Sequence, residues 1–217
     1  MKKIGILGTG MVGATIGNKL MELGYEVKMG SRTANNEKAL AWAAPHGEKA
    51  SVGTFNDAAA FGALLFLCTR GDATLEIVKS LDAAAVQGKT IIDISNPLDF
   101  SKGMPPFLIP DLTNTNSLGE EVQKALPTAH IVKTLNIVNC EVMVNAQRAG
   151  GDPTMFVSGN DAAAKQETTE LLKQFGWTDI IDLGDISTAR GTEMLLPIWL
   201  RTWFATGNGH FAFKIVR

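Results

Sequence analysis

The sequence predicts an α/β fold, a doubly wound parallel sheet followed by a small C-terminal α/β domain. Three observations predict it. Short unbroken apolar runs recur along the 217 residues, as strands buried on both faces require. Helix-like segments alternate with those runs. A glycine-rich turn, Gly8-Thr9-Gly10-Met11-Val12-Gly13, stands directly between the first run and the first helical segment.

Taken in order, Lys3-Ile4-Gly5-Ile6-Leu7 has the length and composition of an inner strand. The G-x-G-x-x-G turn follows with no spacer. In such a Rossmann-type unit the first glycine allows the tight turn, the second admits a pyrophosphate, and the third lets helix and strand pack closely. Ala14 to Leu23 carries apolar residues at helical spacing, with Gly24 as its stop. Tyr25 to Met29 alternates like a strand. Asn36 to Ala44 reads as a helix ending before Pro45, Ser51 to Thr54 as a short strand and Asn56 to Ala60 as a short helix. Leu64 to Cys68 is a second inner strand, with a helix expected over Asp72 to Leu81. Thr90 to Ile94 is another strand. Residues Pro97 to Asn116 hold four prolines among apolar side chains and read as a lid or binding loop. Ser117 and Glu120 have capping-box spacing at the head of a further helix. His130 to Leu135 is a strand. After Gly150-Gly151 come a strand at Thr154 to Ser158, a helix at Asp161 to Phe175 and a strand at Asp179 to Leu183. A last helix spans Thr188 to Thr206, with a kink expected at Pro197. The expected division is a dinucleotide-binding domain over 1–140 and a small domain over 141–217, bearing the substrate cleft and a dimer contact.

The end of the second strand indicates which dinucleotide. NAD-binding units normally place Asp or Glu there to accept from the ribose 2′-hydroxyl. Gly30-Ser31-Arg32-Thr33 has no acid and offers a guanidinium that can grip a 2′-phosphate, with Lys38 as a second, more distant cation. NADP(H) is therefore expected. Ligands of doubly wound sheets lie beyond the carboxyl ends of the strands. The candidate cofactor-binding residues are Gly8, Thr9, Gly10, Met11, Val12, Gly13, Ser31, Arg32, Lys38, Cys68, Thr69, Arg70, Asn96, Pro97, Asn136 and Ile137. For Thr69, Arg70 and Asn96, simple capping of neighbouring helices is an equal alternative.

Composition narrows the partners. A net charge of −2 gives no case for nucleic acid or an anionic membrane. No apolar run reaches the roughly 18 residues of a membrane span, and Met1-Lys2-Lys3 leads straight into a fold strand, so a cytoplasmic chain is expected. Two cysteines, Cys68 and Cys140, read as buried thiols, and three histidines lack metal-ligand spacing. Leu195, Trp199 and Trp203 form one helical stripe with an aromatic tail beyond it, and predict a homodimer.

What remains is the chemistry. Reducing a carbonyl or imine usually calls for a positioned Lys, His or Tyr, and neither a G-x-S-x-G elbow nor a G-x-x-G-x-x-x-N-x-x-K helix occurs here. Hydride transfer between two redox rings needs only proximity and orientation. A deazaflavin or flavin as second redox cofactor is favoured, with no acid–base residue and with Asn136 orienting. A small imine or carbonyl reductase and a non-catalytic NADPH-sensing module stay open beside it.

On Gly8–Gly13, Gly30-Ser31-Arg32, Asp93-Ile94-Ser95-Asn96-Pro97, Val132-Lys133-Thr134-Leu135-Asn136 and Ile181 to Arg190, the chain resembles the NADPH-dependent reductases of coenzyme F-420, an 8-hydroxy-5-deazaflavin. It is also similar to the cytosolic oxidoreductase domain of six-transmembrane metalloreductases. The resemblance implies that Ser31 and Arg32 hold the 2′-phosphate and that Asn136 and Ile137 lie near the nicotinamide. The archaeal deazaflavin enzymes place His-Thr at Asn136-Ile137, and the metal-reducing step is not implied.

Overall fold

A computed structural model describes residues 2–217. The first half runs β1 (Lys3–Leu7), α1 (Met11–Glu22), β2 (Glu26–Ser31), α2 (Glu37–Ala43), β3 (Ala50–Thr54), α3 (Phe55–Phe61), β4 (Leu64–Leu67), α4 (Gly71–Lys79), α5 (Ala83–Val86) and β5 (Thr90–Asp93). The second half runs β6 (Leu98–Asp99), β7 (Phe107–Leu108), α6 (Leu118–Ala125), β8 (His130–Lys133), α7 (Cys140–Met143), β9 (Thr154–Gly159), α8 (Ala162–Gln174), β10 (Asp179–Asp182) and α9 (Ala189–Thr206).

The apolar strand runs divide between two faces because successive side chains alternate. Ile4, Ile6, Val27, Met29, Leu64, Phe66 and Ile92 join one buried cluster with residues of α1, α2, α7 and α8. Leu7, Leu65, Leu67, Ile91 and Ile131 join the other, with residues of α3 to α6 and Ala189 of α9. Each fully buried Leu or Ile contributes about 1.5–3 kcal/mol. Both faces are therefore covered, the condition for a doubly wound sheet.

The sheet has eight strands in the order β10-β9-β8-β5-β4-β1-β2-β3. Seven pairs do not all run one way: β8 meets β9 antiparallel, through Val132↔Gly159 and Lys133↔Ser158, whereas β9 and β10 are parallel to each other. The strands of residues 154–182 thus continue the same sheet past β8, with their direction reversed. The 97–116 stretch is not a plain loop. Antiparallel β6 and β7 make a small hairpin, and Leu98 packs against Leu196, Trp199 and Leu200 of α9.

Helix α9 continues through Pro197. Of its stripe, Trp199 is buried and stacks on Phe211 of the tail with ring centroids 5.4 Å apart, with Phe213 on the same cluster, whereas Trp203 is exposed. Among the described residues no helix is long and apolar enough to cross a membrane.

The capping box at α6 is half made. Ser117 Oγ accepts from the Glu120 N–H at 3.1 Å, as the spacing predicts. The Glu120 carboxylate does not reach back to the Ser117 backbone. It accepts from Arg190 of α9 in a two-pronged pair, 2.8 Å from Nε and 2.6 Å from Nη2. Arg190 holds the Glu120 carboxyl below the ordinary glutamate value of 4.5, against the opposing effect of burial. Since the folded-state value is the lower one, this stability is fully present above pH 4.5 and is lost as pH falls below it through the folded-state value. Glu120→Gln should cost about 1–2 kcal/mol at neutral pH. In urea titrations the gap between variant and parent should narrow on acidification below 4.5; a gap independent of pH would mean that the ion pair carries no weight.

Candidate functional site

Chain direction places the ends of β1, β2, β4, β5 and β8 side by side. At β1 the chain turns through Gly8 at φ 135°, and an added Cβ would lie 2.5 Å from the Cys68 carbonyl oxygen at the end of β4. Only glycine fits both the angle and the approach. A Cβ on Gly13 would meet the Gly8 carbonyl at 2.3 Å, so α1 sits directly on the turn. Gly10 differs: a Cβ there meets nothing within 4 Å. It leaves the backbone at the head of α1 open to the cavity.

The capping pattern points the same way. Asn36, Thr54, Asp82, Ser117, Asn139 and Asp161 each cap a helix with a side-chain oxygen. Besides α9, helices α1 and α4 have no side-chain cap; no acidic residue lies in the first turn of α1, and Asp72 in that of α4 is paired with Arg70. Helices α1 and α4 both start on one cavity of about 440 Å³, lined by Gly8, Thr9, Gly10, Ser31, Arg32, Asn36, Phe55, Cys68, Thr69, Arg70, Ala73 and Ile77. Free N–H groups and two positive dipole ends at one cavity suit phosphates. The residues present fit a dinucleotide.

Most of the expected residues meet here, in different roles. The buried Ser31 hydroxyl donates to the Thr33 carbonyl at 2.5 Å and accepts from the Thr33 N–H at 3.1 Å, fixing the turn that carries Arg32. Arg32 is exposed, has no ion-pair partner among the described residues, and also lines an adjoining 350 Å³ cavity with Phe55 and Ile77. Arg70 is already spent on Asp72, with Nε 2.7 Å from Oδ1. Thr69 Oγ1 lies 2.7 Å from Thr74 Oγ1. Burial and the nearby Asp93 push the Cys68 thiol up, away from thiolate reactivity. Lys38 stands exposed on α2, outside both linings, and Asn36, two residues earlier, lines the larger cavity. Met11 is 77% exposed and Val12 packs on the core, beside the cavity and not in its lining.

The remaining expected residues, Asn96, Pro97, Asn136 and Ile137, lie outside both linings, and two of them pair through their amides. Asn136 Nδ2 donates to Asn96 Oδ1 at 2.9 Å and to the Thr192 carbonyl of α9 at 3.1 Å. Asn96 Nδ2 returns a bond to the Asn136 carbonyl at 2.8 Å. The Pro97 carbonyl accepts from Ile109 N–H at 2.8 Å and closes the hairpin. Ile137 is core, 1% exposed. Leu135 holds φ 61°, a left-handed conformation that costs a bulky residue about 1–3 kcal/mol. Strain of this size beside Asn136 needs surrounding contacts to hold it.

Those contacts come from residues the sequence reading passed over. The Lys133 ammonium, fully buried, donates to Asp93 Oδ2 at 2.9 Å, to the Ser95 carbonyl at 2.6 Å and to Glu193 Oε1 at 2.8 Å. Glu193 also accepts from the Leu118 and Gly119 N–H groups at 2.8 and 2.9 Å, capping α6 from a distant helix. Burial opposes the Lys133 charge, yet the two carboxylates outweigh it and hold its pKa above the ordinary value. Burial pushes the Glu193 carboxyl up against the pull of Lys133. The signal available was a Lys and an Asp ending otherwise apolar inner strands, where a charge must have a buried partner.

A doubly wound sheet with uncapped helix ends at its glycine turn defines a dinucleotide-binding protein. Residues 3–97 match the family described as NADP oxidoreductase, coenzyme F420-dependent. The crystal structure of a provisionally assigned F420-dependent NADP-reductase from Arthrobacter sp. FB24 is 47% identical, covers 100% of both chains and superposes with a TM-score of 0.92. The chain belongs to the coenzyme F420-dependent NADP oxidoreductase family. Metalloreductase STEAP3 of Rattus norvegicus is 26% identical over 91% of this chain and 38% of its own length. The F420-dependent NADP reductase of Methanocaldococcus jannaschii is 28% identical over 65% and 62%. The chain thus spans less than two thirds of either curated relative. A reductive aminase from Aspergillus terreus in complex with NADPH, 19% identical with a TM-score of 0.65 over 94% of this chain and 63% of its own, shares the fold.

Gly71, at the head of α4, packs against the Asn96 turn. An added Cβ there would lie 1.7 Å from the Asn96 carbonyl oxygen. Gly71→Ala should therefore cost about 1–3 kcal/mol in urea unfolding, the range for overpacking. An unchanged midpoint would mean that the Asn96 turn yields freely.

Proposed function

We propose that this protein transfers hydride between NADPH and a deazaflavin or flavin ring laid against the strand ends. One observation carries the reading. The strand ends expected to hold the nicotinamide carry the paired amides of Asn96 and Asn136, while the Lys133 ammonium beneath them is turned inward with all its donors used and Arg70 is paired with Asp72. Such a site orients rings and moves no proton. The family description and the names of the Arthrobacter and Methanocaldococcus proteins support the deazaflavin as the ring in question.

The chain's own residues then have these tasks. Backbone N–H groups at the heads of α1 and α4 hold the pyrophosphate, with Gly10 leaving room for it. Arg32 grips the 2′-phosphate from a turn fixed by Ser31. Asn136, both of whose amide hydrogens are engaged, offers Oδ1 as an acceptor for a carboxamide N–H. Phe100, Met104 and Phe107, exposed on the β6–β7 hairpin, supply apolar cover for a flat ring. Bound NADPH supplies the hydride from nicotinamide C4. Proximity and orientation provide most of the acceleration.

Arg32→Ala should weaken NADPH about ten- to hundredfold, the worth of a lost charge-assisted pair, and leave NADH unchanged. Equal affinity for the two cofactors in the unaltered protein would defeat the 2′-phosphate assignment.

The transfer itself is checked with NADPH deuterated at the transferred position, across flavin mononucleotide, flavin adenine dinucleotide and the deazaflavin. Deuterium should appear at C5 of the reduced deazaflavin; a reduced flavin would lose it from N5 to water. Solvent hydrogen at C5, where no washout occurs, would overturn direct transfer. Absence of NADPH oxidation with all three acceptors would leave the non-catalytic binding module as the better description.

A further inference from the structure

We infer that Glu193 is a positioning residue for the nicotinamide end of the site, acting through helix α9 on Asn136; the inference rests on the nicotinamide lying at that end. Glu193 fastens the first turns of α9 to three places at once: the Lys133 ammonium on β8 and the first two N–H groups of α6. The preceding residue, Thr192, presents the carbonyl that takes one of the two Asn136 amide hydrogens. Shifting α9 therefore shifts the acceptor that sets the rotation of the Asn136 amide.

Backbone strain marks the same stretch. Lys133, held by the ion cluster, and Asn136, held by Thr192 and Asn96, flank Leu135 in its left-handed conformation. A chain pinned at both sides keeps this conformation; a chain released at either side relaxes from it. The phosphate end is held by different bonds. It is assembled from β1, β2 and β4 turns that make no hydrogen bond to α9. The consequence is a split: loss of the Glu193 contacts should disturb one end of the dinucleotide site and spare the other.

Glu193→Gln keeps the shape and removes the charge, and two ligands read its effect. One is 2′,5′-ADP, which has the adenosine and 2′-phosphate but no nicotinamide; the other is NADPH, whose fluorescence reports the ring's surroundings. In the unaltered protein NADPH should bind more tightly than 2′,5′-ADP; equality there would sink the nicotinamide placement and this inference with it. In the variant, 2′,5′-ADP should bind within about twofold of the parent, while NADPH loses about tenfold and the emission of its bound form moves toward that of free NADPH. Glu193→Asp, which keeps the charge and shortens the arm, should show the same split and carries the test if the Gln variant does not fold. Equal weakening of both ligands would assign Glu193 a merely structural role, and unchanged NADPH binding would show no positioning; either overturns the inference. No acceptor turnover is read, so the outcome is separate from that of the hydride-transfer proposal.

Discussion

The buried ammonium of Lys133 is the constraint on which the rest of the site depends. A charge at 0% side-chain exposure is costly unless paired and fully hydrogen-bonded. Meeting that demand requires Asp93 from β5, the Ser95 carbonyl from the turn after it and Glu193 from α9. Apolar residues of equal volume often stabilise a fold as well as a buried ion pair does, so the net gain in stability is a poor reason for such a cluster. What it supplies is geometry. Three segments far apart in sequence must converge on one nitrogen, and Asn96 and Asn136 follow within a few residues.

The two ends of the site use opposite electrostatic means. At the phosphate end, attraction comes from backbone dipoles and one unpaired guanidinium, because Arg70 is neutralised by Asp72 before any ligand arrives. A net charge of −2 for the whole chain is no obstacle, since helix N-termini act within a turn. At the amide end no formal charge reaches the cleft from Lys133, whose partners enclose it. A cofactor carrying phosphates at one end and a ring that becomes cationic on oxidation at the other suits this division.

The sheet was legible because buried strands and helix starts leave local marks. Leu64 to Cys68 and Thr90 to Ile94 read as strands from five residues each and fold as strands of four, and Asn36, Ser117 and Asp161 announce helices by hydrogen bonds they make within three residues. The convergence of Gly8 to Gly10 with Ser31-Arg32 on one cavity follows from equally local marks, since each stretch is contiguous and ends a strand. What escaped has partners far along the chain. Nothing near Thr154 states that β9 will run against β8 through only two residue pairs. Glu120 stands where a capping box wants it, and Arg190, seventy residues on, takes it away. Lys38 looked suitable by charge, but residue 38 is on the exposed side of α2, and the cap residue Asn36 reaches the cavity. Glu193 sits in an ordinary amphipathic helix, and only the fold reveals Lys133 opposite it.

Helix α9 carries this dependence to the far end of the chain. Its first turns belong to the main core through Ala189, Arg190 and Glu193, whereas Leu196, Trp199 and Leu200 beyond form a separate cluster with Leu98, Phe211 and Phe213. The hairpin that flanks the cleft and the tail that ends the chain thus rest on one helix, and that helix rests on the buried ion cluster. Small changes in the tail act on Trp199, and through α9 on the hairpin. The glycine turn and the strand ends are fixed by backbone packing and change little. Variation in what the cleft accepts is therefore physically easiest to introduce in the hairpin, α9 and tail, with the dinucleotide end left intact.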